Sequence, residues 1–421
     1  MKRYKFLLAV FIVVMIIGNA LRFLPISKDL VAIGSVNTTE MFFYFVSIVV
    51  LFFTPKYILR FPLEYLGIYV CFLLSFLMAA IRLQEVPFLP LSHNIRILLY
   101  FLSTYAVGLT YYKLYHNDLV KLLNFILKIF FINVIVAWVL YLVFPTAVHI
   151  WDILQGYGIM YDGDYNLNRL LGTTFDPNFF GNILIFPIMM SLFLIEKTEK
   201  KIYFFTFLFF VFSIMFTVSR SSLLGLSIAL VLYHLISLKM FITKFKIKKS
   251  LLFNLVIFVA AIVGIIILSP EQAERYFNRF FGISTDLSAR HRYNDMLLAF
   301  DLLSDYETLI RGIGFNFFRH LKLTSLSTID SSILTILVSL GVPLFTAVVA
   351  LFVKLFKFIR PTDPLLLAFY RQVFLIYLVA SLVICNFNNL LFFVYWVFWV
   401  LPFISYFYLF KKEKRNHATG N

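Results

Sequence analysis

The chain has 421 residues, of which 62% are apolar and only 14% charged, and its mean hydropathy is +0.91. No water-soluble domain keeps that balance, so soluble domains are excluded and a polytopic membrane protein is expected. The two cysteines, Cys71 and Cys385, lie in apolar runs and exclude a disulfide framework, while the net charge of +16 must be tested against the membrane's own charge rule before any partner is inferred.

Apolar runs fall at about 6–24, 41–53, 63–81, 97–114, 122–144, 179–195, 202–218, 221–238, 251–268, 332–353, 365–385 and 390–410. At roughly 20 residues per helical span they predict about 12 crossings, an all-α polytopic fold forming one integral membrane domain over 1–421. The first run follows Met1-Lys2-Arg3 without a small-residue cleavage site and reads as a retained span. An N-terminus in the cytoplasm puts Lys56, Arg60, Lys113, Lys121, Lys197, Lys200, Lys201, the Lys239 to Lys249 cluster, Lys354, Lys357, Arg360 and the Lys411 to Arg415 tail on that side. Both termini are then cytoplasmic. Most of the basic charge is therefore topology, and nucleic acid is not needed as a partner.

The cations left outside are nearly all arginine, whose planar fork pairs bidentately with phosphate. Most of them fall in one external segment, 269–331, between the ninth and tenth spans. A second long external segment covers 145–178. Loops of this length are commonly functional. The 145–178 segment carries Trp151, Tyr157, Tyr161 and Tyr165, able to stack on sugars or to sit at a membrane interface. The large loop contains a helix-like stretch, Tyr293 to Glu307, with Met296, Phe300 and Leu303 on one face. An ordered cap at the external mouth is expected. No fixed-period repeat is present, which disfavours a transporter built from two similar halves.

No phosphate-binding Gly-x4-Gly-Lys loop, dinucleotide fingerprint or metal-type His/Cys spacing occurs, so no cofactor and no metal are expected. Asp162-Gly163-Asp164 has metal-binding spacing, but Asp and Gly are also ordinary turn residues. Arg220, in Thr217-Val218-Ser219-Arg220-Ser221-Ser222, sits at the external head-group level, where it either snorkels to lipid phosphate or grips a substrate phosphate in a wet, hydroxyl-lined pocket. Asp176-Pro177 reads as an N-cap and first helical residue, while the Asn178 amide is harder to explain by capping. Gly312 and Gly314 read mainly as a helix stop and turn. Asp330 is a helix cap or, partly desolvated at the membrane mouth, a base.

In order, Arg169-x5-Phe175-Asp176-Pro177-Asn178, Ser219-Arg220, Arg290/Arg292 with Gly312-x-Gly314, and Asp330-x3-Leu334-x6-Gly341 resemble the O-antigen ligase/polymerase superfamily over about residues 165 to 345. The resemblance implies a GT-C-like, Wzy-type polysaccharide polymerase in the bacterial cytoplasmic membrane. It implies that external arginines, Arg220 and either Arg290 or Arg292, hold the pyrophosphate of an undecaprenyl-linked oligosaccharide. Asp330-Ser331 stands where ligases carry His-Asn, which favours polymerase over ligase.

A pyrophosphate is a good leaving group, so the expected chemistry is charge neutralisation and alignment without a metal. Arg220, Arg290 and Asp330 are the expected catalytic residues. Arg169, Asn178, Ser219, Arg292, Tyr293, Gly312 and Gly314 are the expected substrate-binding ones. A chain-length regulator and a flippase are the candidate protein partners. The competing expectations are an O-antigen ligase-type transfer and a lipid-glycan flippase or transporter.

Overall fold

The computed structural model describes residues 2–17, 38–143, 169–174, 176–239, 274, 287–324, 329–392 and 394–418. All regular elements among them are helical. Besides short turns at Pro55–Ile58, Gly172–Thr174 and Leu390–Phe392, they are α1 Lys2–Ile17, α2 Thr38–Phe52, α3 Leu63–Leu83, α4 Phe88–Tyr115, α5 Leu119–Val143, α6 Pro177–Thr198, α7 Lys201–Phe216, α8 Arg220–Lys239, α9 Leu287–Ser304, α10 Tyr306–Arg311, α11 Ser332–Ile359, α12 Pro364–Ile384 and α13 Val394–Ala418. Each apolar run coincides with one of these helices, apart from 251–268 and the end of 6–24, which lie outside the described residues. Among the described residues five helices are long and apolar enough to cross a membrane, namely α3, α5, α6, α11 and α12. Also outside the described residues are Trp151, Tyr157, Tyr161, Asp162-Gly163-Asp164, Tyr165 and Phe175.

Helix starts follow local chemistry. Asp176 caps α6 by accepting the N–H groups of Asn178 and Phe179 at 2.7 and 3.2 Å, with Pro177 as first helical residue. Asp363 does the same for α12, ahead of Pro364. At α11 the cap is Ser331, whose hydroxyl accepts the Leu334 N–H at 3.3 Å. Asp330 is not the cap.

The helices gather into two compact bodies. One contains α1 to α4, α9 from His291 onward, α10, α11 and α13. Its core is aromatic, with Phe43 against Phe398 at 4.7 Å between ring centres and Phe11 against Trp399 at 5.7 Å. α4 and α13 approach closely at Gly108, where a β-carbon would lie 2.6 Å from the Pro402 carbonyl oxygen. Within this body the segment after α10 is buried, not laid on the surface. Phe315 packs on Phe72 and Phe317 on Phe76, both in α3.

The same segment meets a break in α11. Gly341 leaves helical geometry with φ 69° and ψ 166°, and Pro343 follows two residues later. The Val338 and Ser339 carbonyls accept the N–H groups of Ile313 and Gly314 at 3.0 and 3.1 Å. The Ser75 hydroxyl adds a 2.7 Å bond to the Ser339 carbonyl. An interrupted helix between apolar neighbours is tolerated only when its backbone finds partners, and this one does.

The other body holds α5 from Val120, α6, α7, α8, the start of α9 and α12. Here α6 is buried nearly all round by α7, α8 and α12. Phe186 meets Tyr377 and Phe193 meets Phe369 along α12, while Trp138 of α5 donates to the Ser213 hydroxyl of α7 at 2.9 Å. α12 widens into a π-turn over Tyr370–Leu375.

Candidate functional site

The expected site residues fall into two groups, one in each body. In the second body, Arg169, Asn178, Ser219 and Arg220 collect around the turn joining α7 to α8. That turn carries Val218 at φ 47°, an unfavourable geometry for a β-branched residue, of a kind that costs roughly 1–3 kcal/mol and persists only when surrounded by fixing contacts. Arg169 supplies several. Its Nε–H donates to the Thr217 carbonyl at 2.7 Å, and one terminal nitrogen donates at 3.3 Å to both the Val218 carbonyl and the Asn178 side-chain oxygen. The adjacent Leu170 N–H bonds the Phe216 carbonyl at 2.8 Å. Arg169 is buried, and its fork is engaged by the protein's own acceptors.

Asn178 is accounted for in the same way, since its side chain takes the guanidinium and its carbonyl lies 3.2 Å from the Ser222 hydroxyl. Ser222 also donates to Ser219 Oγ at 2.8 Å, and its N–H bonds that oxygen at 3.3 Å, so Ser219 caps α8. Thr217, Ser219, Ser221 and Ser222 are all buried. Where a wet hydroxyl pocket was expected, these hydroxyls bond one another and the backbone. Gly181 shows how tightly α6 sits here, because a β-carbon would stand 2.5 Å from Ser222 Oγ. Arg220, half-buried, opens α8 directly after the cap.

In the first body, α9 presents Arg292, Asp295, Ala299 and Leu302 at helical spacing along one face. The apolar part of that face packs with Ile313, Phe318, Ile329 and Val338. The expected face of Met296, Phe300 and Leu303 is therefore rotated: Leu298, Ala299, Leu302 and Leu303 make the contact and Phe300 is exposed. Two residues apart on a helix, the two arginines point to different sides of it. Arg290 is exposed, whereas Arg292 brings Nε to 3.7 Å from the Asp330 carboxylate. Tyr293 is 62% exposed, so it stands off this face.

Asp330 is half-buried, and its backbone N–H donates to Asp295 Oδ2 at 2.8 Å. Burial pushes its carboxyl above the ordinary carboxylate value, opposed by the charges of Arg292 and His291 and reinforced by that of Asp295. A carboxylate beside a cation yet partly withdrawn from water is a candidate proton acceptor. Gly312 and Gly314 serve the backbone. Gly312 ends α10 at φ 71°, and a β-carbon on it would meet the Ser339 carbonyl oxygen at 2.2 Å.

Sequence reasoning passed over Asp295, the capping role of Ser331, the strained Val218 and Asn182. The Asn182 amide is fully buried one turn beyond Asn178, and neither of its polar atoms has a hydrogen-bond partner. The three-residue spacing of Arg292 and Asp295 was the one visible signal. No metal-ligating cluster occurs among the described residues. Compared with protein-family models, curated proteins and solved structures, the chain matches none.

Proposed function

We propose that the chain is a membrane polysaccharide polymerase that transfers a glycan from undecaprenyl pyrophosphate to a lipid-linked repeat unit at the outer face of the bacterial cytoplasmic membrane, with N- and C-termini in the cytoplasm. The observation that carries this reading is the position of Arg220. A cation at the first residue of a helix adds its charge to the positive end of the helix dipole, a placement that a bound anion stabilises. A diphosphate at head-group level supplies such an anion.

In the proposed reaction the acceptor hydroxyl oxygen attacks the anomeric carbon of the donor sugar, the bond from that carbon to the pyrophosphate oxygen breaks, and the leaving charge is neutralised by arginine. Asp330 takes the hydroxyl proton. Arg292, beside Asp330, is favoured over the exposed Arg290 as the arginine that works with that carboxylate. Arg169 and Asn178 act through the turn beneath Arg220.

The interruption of α11 at Gly341 favours a second reading, a lipid-glycan flippase, because transporters build their sites from broken helices. Against it, the carbonyls freed at the break are taken by Ile313, Gly314 and Ser75. Purified protein in liposomes, given a synthetic undecaprenyl-pyrophosphate oligosaccharide and no nucleotide, separates the readings. A polymerase grows a product ladder on a gel. Movement of the lipid between leaflets without any ladder would replace it with the flippase.

A further inference from the structure

Two residues of α9 grip Asp330 at different points. Arg292 faces its carboxylate at 3.7 Å, and Asp295, three residues on and on the same face, accepts its backbone N–H at 2.8 Å. The start of α11 gives no reason for this second contact, because Ser331 already caps that helix. Nor is it a routine way to satisfy the Asp330 N–H. It places a second carboxylate beside the first, where like charges repel. Such an arrangement persists when something else outweighs the repulsion, here the apolar packing of Ala299 and Leu302 behind it.

We propose that Asp295 is a positioning residue for Asp330, fixing the backbone from which that carboxylate projects and facing it with a like charge. Its catalytic consequence rests on the polymerase reading above; its effect on Asp330 does not. Held by the N–H, the Asp330 backbone keeps its place beside the Arg292 guanidinium. The negative charge of Asp295 acts in the same direction as burial on the Asp330 carboxyl, and Arg292 and His291 act oppositely. These three are the charged groups of α9 that bear on it. Asp295 thus keeps the neighbouring base proton-hungry despite the arginine.

The test is infrared titration of the full-length protein in lipid nanodiscs, with the Asp330 carboxyl band assigned by its loss in Asp330→Asn. Asp295→Asn keeps an oxygen acceptor and removes the charge, so the Asp330 midpoint should fall, while Arg292→Gln should raise it. Asp301→Asn, an exposed neighbour on α9, should leave it unmoved. An unmoved Asp330 midpoint in Asp295→Asn overturns the proposal, whatever the ladder assay says. If the ladder assay is positive, Asp295→Ala should lower kcat about tenfold with KM little changed, and the acidic limb of kcat in Asp295→Asn should move down with the infrared midpoint. A ladder that fails in wild type while the midpoint moves as expected removes the polymerase and leaves the Asp295–Asp330 relation standing.

Discussion

Arg169 donates its Nε–H to the Thr217 carbonyl at 2.7 Å and so holds the turn from which Arg220 begins α8. Removing the guanidinium leaves the Thr217 and Val218 carbonyls and the Asn178 amide short of a donor inside a buried turn, at about 1–3 kcal/mol for each buried group left unpaired. Arg169→Met should therefore lower the midpoint of thermal unfolding measured in detergent. Arg169→Lys should recover only part of the loss, since a point charge cannot serve three acceptors in a fork geometry. Full thermal stability in Arg169→Met, with activity gone, would return Arg169 to direct phosphate binding.

The apolar runs and the Asp176-Pro177 start were legible because each depends on neighbours in the chain: hydropathy over a window, or a side chain bonding the next turn. The rotation of α9 was not. Its residues offer an apolar stripe at Met296, Phe300 and Leu303 as good as the one used, and packing with Ile313 and Phe318 decides between them. Arg169 read as a ligand of phosphate because its partners, two carbonyls some 50 residues away in sequence, carry no side-chain signature. The Gly312, Gly314 and Gly341 spacing was visible, but its cause lies in a crossing of two backbones that no local rule describes.

Gly312→Ala tests that crossing. The added carbon would stand 2.2 Å from the Ser339 carbonyl oxygen, on backbone that cannot swing aside, and at positive φ. A loss of about 2–4 kcal/mol is expected, as for other overpacked and strained sites. Limited proteolysis after Arg311 or Arg319, which flank the inserted segment, should be faster in the variant. Wild-type cleavage rates would show that α11 and the segment move apart at little cost.

Asn182 gives the opposite sign. Its amide is fully buried in α6 without a partner for either polar atom, and Leu has nearly the same volume. Asn182→Leu should raise thermal stability by about 1–3 kcal/mol, the cost of a buried polar group left unpaired. A stabilised protein that has lost turnover would place Asn182 among the residues kept for function at the expense of stability. A destabilised one would show that the amide is satisfied by internal water.

Asp330 sets a pH dependence. Its carboxyl is raised above the ordinary value of 3.8 by burial, so the folded chain holds this proton more tightly than the unfolded chain does. The sign follows: stability from this group is full below the ordinary value and declines as pH rises from there through the raised value, above which the loss is constant. Asp330→Asn should flatten unfolding midpoints across that window. The acidic limb of kcat should lie above the ordinary carboxylate range and move higher still in Arg292→Gln, because a neighbouring positive charge has been removed. An acidic limb at the ordinary value in both proteins would exclude Asp330 as the base.

Arg220 bears the greatest weight in the proposed chemistry. It stands after the Ser219 cap, so replacing it leaves the cap's bonds to Ser222 intact, and Arg220→Ala should reach the membrane at wild-type level with no ladder. Loss of a transition-state arginine costs about 100- to 1000-fold in turnover where one donor is removed. Arg220→Lys separates electrostatics from geometry. It keeps the charge beside the positive end of α8 but not the planar fork, so ladder growth should stay at least about tenfold below wild type while binding of the lipid substrate is partly restored. Wild-type chain lengths in Arg220→Ala would leave its guanidinium as a snorkelling contact with lipid phosphate and take away the feature on which the polymerase reading was built.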